Sequence, residues 1–415
     1  MRVRRCAVLY LEPREKIDFD LGGLLTGGDG LLRDRRWFAL APHLGEEVEI
    51  DAGERELLGV LSPSQWVDAR TLQLPAPAAL KRLLERGLVI ADGQRHAAWR
   101  ERDEAQRATY WHPLAATLHA FTRWSGVDAV QNMKDSGTET ATQMRAVLGA
   151  PPVEAARRDA SAAQLKLPRI DATDFDRLLA RRVTCRNFDP SLPLPFERFV
   201  QVLQRVFAAQ AEVRVSADTV FLKKNVPSGG GLHPMECYLI VQHVEGVAPG
   251  LYHYQSVEHA LEPLPIPEGR TWDNGGLRRF VQDMVAQQHW FADAHVVVLL
   301  SPRFDRTFWK YRQHAKGYRV VALEAGHISQ TLYLAATEAG LGAFITGAIN
   351  EKELEQAFGL DPISQGALAA CGFGWRGAEM NTAELDPNGV VWEPSVAEHV
   401  VTDDFVHATN TRFAK

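Results

Sequence analysis

Residues 294–302 (AHVVVLLSP) constrain this fold more than any other stretch. A strand covered on one face alternates apolar and polar side chains, so an unbroken run of valine and leucine must be covered on both. The run is far shorter than the roughly 18 apolar residues that suggest a membrane helix. It therefore reads as the central strand of a sheet flanked by helices. The neighbouring stretches agree: ECYLIVQHV (236–244) and GALAACGFG (366–374) read as further strands. Residues 319–339 form a long helix with Val321, Ala325, Ile328, Leu332, Ala335 and Ala339 inward, and Gly340 is placed to end it. FERFVQVLQRVF (196–207) turns Phe196, Phe199, Val200, Leu203 and Phe207 to one helical face. The alternation is that of an α+β domain.

The front of the chain is different. RRWFAL (35–40) and EEVEI (46–50) are short strands, and Leu57, Leu58 and Leu61 form a helical stripe. Leu80, Leu83, Leu84 and Leu88 form a second stripe, stopped by Gly87, and LVIAD (88–92) reads as a strand turned by Asp92-Gly93. Helices followed by a strand and a turn suggest a winged-helix-like domain over residues 1–100. Residues 101–165 read as a helical segment and linker, and the stretch 149–168, with its prolines, small residues and charges, reads as the linker. Residues 166–415 form the main domain.

Several function classes recede on composition. A formal net charge of −6 gives no electrostatic reason to bind nucleic acid. Acidic residues break the N-terminal apolar run too early for a secretory signal. Cys6, Cys185, Cys237 and Cys371 form no CxxC pair, so a zinc ribbon or dithiol centre is not expected, nor any metal. His112 and His119 have no acidic or cysteine partner at ligand spacing and read as packed helix histidines. A reduced, cytoplasmic setting without a membrane segment is expected.

Four strings carry chemistry. In RRVTCRNF (181–188), Arg182, Thr184 and Arg186 are spaced by two, so an extended segment points them to one side. Two guanidiniums and a hydroxyl there make a phosphate grip. Cys185 points the other way and reads as packing. PSGGGLHP (227–234) has three glycines whose backbone can approach a flat or charged ligand, but neither Walker nor GxGxxG spacing. A flexible surface loop reads as well. FWKYRQHAKGYR (308–319) places Lys310 beside Tyr311, where a cation can help a tyrosine act as a base; an exposed basic loop is the rival. LGAFITGAINE (341–351) ends a strand at Thr346-Gly347, offering a hydroxyl and backbone donors to a ring.

Together and in this order, the strings resemble the nitroreductase-like flavoprotein superfamily, and most of all the SagB-type dehydrogenases, the azoline oxidases of peptide maturation. The likeness spans about residues 175–380. It rests on RRVTCRNF, PSGGGLHP and WKYR followed by the run from Tyr318 to Ala336, which contains LEAGH and LYLAA. Val183 and Thr184 depart from the commoner arginine and serine, but a hydroxyl and two guanidiniums remain.

The resemblance implies a nitroreductase-like FMN-binding domain, a mixed sheet flanked by helices, behind the winged-helix-like domain. It implies that Arg182, Thr184 and Arg186 hold the FMN phosphate and ribityl end. Pro227, Ser228, Gly229 and Gly230 would line the flavin, Thr346 and Gly347 would meet its ring, and Arg376 in GFGWRG would be a second phosphate ligand. Lys310 and Tyr311 match the pair assigned to catalysis. The implied reaction is oxidation of an azoline to a thiazole or oxazole in a ribosomally made precursor peptide, by a homodimer that works with a cyclodehydratase. Rival readings are a generic NAD(P)H-dependent nitro or quinone reductase and a non-catalytic flavin-binding scaffold subunit. A DNA-binding regulator is the outlying one.

Overall fold

The computed structural model describes residues 1–72, 77–156, 158 and 164–392. Two units divide the chain: one of Met1–Arg123, Arg303–Val320 and Asp361–Gly366, the other of Trp124–Pro302, Val321–Leu360 and Ala367 onward.

The first unit contains strands β1 (Arg2–Arg5), β2 (Tyr10–Phe19), β3 (Leu31–Leu40), β4 (Glu47–Ile50), β5 (Val67–Asp68) and β6 (Val89–Ala91). β5, β1 and β6 form an antiparallel sheet in that order, and β2, β3 and β4 form an antiparallel ribbon. The helix Ala52–Val60 starts in a reciprocal cap, Asp51 accepting from the Glu54 N–H while Glu54 accepts from the Asp51 N–H. The two leucine stripes converge: Leu57, Leu58, Leu83, Leu84 and Leu88 are buried with Val3, Ile50 and Ile90 in one core. This is a sheet-and-helix unit of the kind the sequence suggests.

The two units divide between Arg123 and Trp124, and two later segments belong to the first unit. Aromatic packing accounts for this. Trp111 lies 4.4 Å from Phe304 and 4.7 Å from Phe308, centroid to centroid. Its indole N–H donates to the Ile363 carbonyl at 2.8 Å. His119 packs beside Phe304 and meets the Tyr318 hydroxyl and the Pro362 carbonyl.

The second unit adds a hairpin of β7 (Ala211–Arg214) and β8 (Val220–Lys223). Its main sheet contains β9 (Met235–Val241), β10 (Gly250–Gln255), β11 (Ala260–Leu264), β12 (Val296–Pro302), β13 (Gly342–Thr346) and β14 (Ala369–Gly374), in the order β11-β10-β9-β12-β14-β13. The apolar run is β12, interior to the sheet and buried at every residue, with Val298 opposite both Leu239 and Cys371. These six strands pair antiparallel. The parallel component enters as a bridge between Thr184 and Ala343 beside β13.

The helix Gly317–Glu338 buries Val321, Ala325, Ile328, Leu332 and Ala335, while Ala339 lies beyond its end, before Gly340 at φ 74°. The helix Phe196–Val206 is rotated from expectation: it buries Phe199, Val202, Leu203 and Val206, whereas Phe196 in its first turn is exposed. No described helix is long and apolar enough to cross a membrane.

Candidate functional site

The string after Arg181 runs beside β13, where the Cys185 N–H donates to the Ala343 carbonyl at 2.8 Å. Burial alternates along it: Val183, Cys185 and Asn187 are buried, while Arg182, Thr184 and Arg186 are part-exposed. Cys185 packs tightly, since a Cβ placed on Gly342 would meet its Sγ at 2.5 Å. Burial pushes the Cys185 thiol up to about 12, which keeps it protonated and unreactive.

On the other face, the Thr184 hydroxyl meets the Tyr333 hydroxyl at 3.0 Å, and the Arg182 guanidinium stands over the Tyr333 ring at 5.4 Å. Neither the Arg182 nor the Arg186 side chain has an acidic partner among the described residues. Two guanidiniums without counter-ions, flanking a hydroxyl, are what an anion requires.

The loop 227–234 is bent by left-handed backbone at Gly230 and Gly231, both at φ 68°. A Cβ built on Gly231 meets nothing within 4 Å, so open space lies over that backbone. Ser228 donates its hydroxyl inward, to Glu324. Pro227 is exposed, and its carbonyl accepts from His327 Nδ1 at 3.2 Å.

Thr346 differs from expectation. Its hydroxyl is buried and bonded to the side-chain amide of Gln288, and it accepts the Ala348 N–H at 3.1 Å. The hydroxyl therefore shapes the turn after β13 instead of facing outward. Gly347 has open space where a side chain would be, which leaves the backbone of this turn approachable.

Arg376 is also committed elsewhere. It pairs with the fully buried Glu384 and stands 5.6 Å over the Trp392 ring. Its charge is neutralised within the protein, unlike those of Arg182 and Arg186.

Lys310 and Tyr311 belong to the first unit. Lys310 ends the helix Phe304–Lys310 and is exposed, with Nζ 5.6 Å from the Tyr311 ring centre. The segment behind them is held: Arg312 stacks on the Tyr110 ring at 4.2 Å, and the Gln313 N–H donates to the Tyr110 carbonyl at 2.9 Å. His119 is buried, its pKa pushed down to about 3 chiefly by that burial, so it packs as a neutral ring. Among the described residues no cluster of His, Cys, Asp and Glu is placed to hold a metal ion.

The second unit fits a flat anionic cofactor such as FMN on two observations: the counter-ion-free guanidiniums, and the glycine backbones at 231 and 347 with open space above them. Sequence reasoning missed Tyr333, Gln288, Glu324 and Glu384. Each is a polar side chain whose importance comes from burial, and nothing local marks it as buried. Tyr333 and Glu324 did lie in the distinctive run from Tyr318 to Ala336.

Comparison with known proteins matches residues 179–375 to the description "Nitroreductase family". The chain is 30% identical over 194 residues to "Putative nitroreductase MJ1384" of Methanocaldococcus jannaschii, covering 46% of this chain and 88% of that protein. It is 30% identical over 183 residues to the trifolitoxin-processing protein TfxB of Rhizobium leguminosarum bv. trifolii, and 26% over 163 residues to the microcin B17-processing protein McbC of Escherichia coli. The matches cover 48% and 57% of these two proteins. Among solved structures, a chain of the E. coli microcin synthetase McbBCD complex with truncated pro-MccB17 bound aligns over 65% of this chain and 96% of its own, at 19% identity and a TM-score of 0.44.

Proposed function

This chain belongs to the nitroreductase family, which it matches over residues 179–375, and from that premise we propose that it is an FMN-dependent SagB-type dehydrogenase oxidising azolines to azoles in a ribosomally made peptide. The observation that carries the cofactor assignment is the pair of counter-ion-free guanidiniums, Arg182 and Arg186, on one side of an extended string. They would hold the FMN phosphate, with Thr184 between them. The backbone of Gly229, Gly230 and Gly231 and of the turn at Gly347 would lie against the ring. Arg376, paired with Glu384, would reach a phosphate only by leaving that carboxylate, so we assign it a structural role.

The peptide reading draws on the likeness to two peptide-processing proteins and on the Lys310–Tyr311 pair. Aromatising an azoline removes a proton from Cα and a hydride from the adjacent ring carbon. Tyr311, beside the Lys310 ammonium, takes the proton. FMN, when bound, supplies the two-electron acceptor for the hydride. The substrate would be a heterocyclised precursor peptide supplied by a cyclodehydratase, and the active species a cytoplasmic homodimer.

The test is mass spectrometry of an azoline peptide for loss of two hydrogens per ring. Tyr311→Phe and Lys310→Ala should keep bound FMN and lower azole formation by about 10²–10⁴-fold; full activity in both would refute the assignment. The match over most of a nitroreductase's length favours a second reading, a generic NAD(P)H-dependent reductase. Rapid flavin bleaching by NADPH with nitroaromatic turnover would select it.

A further inference from the structure

The chemistry above leaves unused the LEAGH run, residues 323–327, on the helix Gly317–Glu338. Glu324 is 2% exposed, an unusual place for a carboxylate. It accepts the Ser228 hydroxyl. The Ser228 Oγ in turn accepts the His233 N–H at 2.9 Å. One turn further along the helix, His327 Nδ1 donates to the Pro227 carbonyl at 3.2 Å. The string PSGGGLHP is thus tied at its start, through Pro227 and Ser228, and at its far end, through His233 and Ser228, to two side chains three residues apart on one helix face.

The tie has work to do. Between its ends the chain takes left-handed backbone at Gly230, Gly231 and His233, the last at φ 45°. Glycine adopts this conformation at little cost, but a histidine there is strained and persists only if its surroundings impose it. The His233 N–H is the group that Ser228 and, through it, Glu324 hold. Burial pushes the Glu324 carboxyl up, and the Ser228 hydrogen bond and the nearby Lys224, itself buried, oppose that rise.

We propose that Glu324, assisted by His327, is the positioning residue of the glycine loop: it fixes residues 227–233 in the arch on which the cofactor would lie. The geometry joins LEAGH to PSGGGLHP, about a hundred positions apart in the chain. The consequence for FMN rests on the flavin reading above; the clamp itself is a property of the protein without cofactor.

The experiment uses the full chain, with and without FMN. Amide hydrogen exchange of the apoprotein reads the clamp, and FMN fluorescence titration reads its consequence. In Glu324→Gln the neutral amide is a weaker acceptor, so the His233 amide should lose protection while β12 amides keep theirs. FMN affinity should fall by about 10- to 100-fold, the equivalent of one hydrogen bond to a charged group. Ser228→Ala removes the same bond from the loop side, so it should deprotect the His233 amide even if Glu324→Gln does not fold. Combining the two should add little. Unchanged protection at His233 in both variants would overturn the clamp. Normal FMN affinity in Glu324→Gln, with protection lost, would overturn its role in positioning. Failure of the wild-type chain to bind FMN would refute the flavin reading and leave the exchange result to judge the clamp.

Discussion

Glu384→Ala should be among the most damaging single substitutions in the second unit. Glu384 Oε1 accepts the N–H groups of Arg186 at 2.6 Å and Asn187 at 3.0 Å, and the Asn187 amide at 2.9 Å. Oε2 accepts from Arg376 and from the Trp392 indole at 2.8 Å. The Glu384 side chain is fully buried and that of Arg376 is 18% exposed, so truncation leaves a mostly buried cation without its anion. Breaking such a pair from one side costs about 3–5 kcal/mol. The orphaned N–H groups at 186 and 187 push the effect toward the upper end, because each unmet buried donor carries its own desolvation cost of about 1–3 kcal/mol. That is a large fraction of the roughly 5–15 kcal/mol that holds a domain together.

Urea unfolding of the apoprotein measures this loss directly. Glu384→Gln keeps an acceptor oxygen and should fall between Ala and wild type. Replacing both charges with apolar groups, Glu384→Leu with Arg376→Met, should recover most of the loss, because the main cost is the unpaired charge and not the missing attraction. A Glu384→Ala loss below about 1 kcal/mol, or a double variant no better than the single, would refute the reasoning.

Other outcomes follow from the same geometry. Burial, with Arg123 adding to it, holds the His119 pKa at about 3 against an ordinary 6.5. The unfolded chain therefore takes up this proton first, and His119 lowers stability progressively as the pH falls from 6.5 toward 3, by about 1.4 kcal/mol per pH unit; above 6.5 this destabilisation is absent. Urea unfolding across that range should show His119→Gln flattening the dependence, and an unchanged slope would exclude it. Arg182→Ala and Arg186→Ala should each weaken FMN by about tenfold or more while leaving riboflavin, which lacks the phosphate, nearly unaffected. Equal losses for both ligands in fluorescence titration would remove the phosphate assignment.

What was legible in the sequence was what depends on neighbours in the chain. The period-two alternation at 182–187 and the unbroken valines of β12 are local signals, and the structure places those side chains as the spacing required. The ribbon β2–β3 was legible only in its RRWFAL part. Most of its residues are part-exposed or exposed, so no face alternates strongly, and its cross-strand ion pairs, Arg33 with Glu15 and Arg14 with Glu47, look in sequence like scattered charge. The membership of 303–320 in the first unit was illegible for another reason. It depends on Trp111 meeting Phe304, Phe308 and Ile363, the last 252 positions away, and no local pattern announces such a meeting.

Buried carboxylates were the hardest to read. Glu324 falls among the inward residues of an amphipathic helix, and Glu384 lies in a polar stretch, where acids usually face water. Both are inside because backbone N–H groups outside the regular sheet need acceptors: those of Arg186 and Asn187 at one place, that of His233, through Ser228, at the other. The two strings that bear the candidate cofactor contacts lie outside the regular strands, the arginine string meeting the sheet only at the isolated bridges of Thr184 with Ala343 and Phe188 with Arg376. Each therefore requires a buried anion behind it. A sequence search for such sites would do better to seek the acid that supports the loop than the loop alone, since a glycine-rich string without its carboxylate is indistinguishable from a flexible turn.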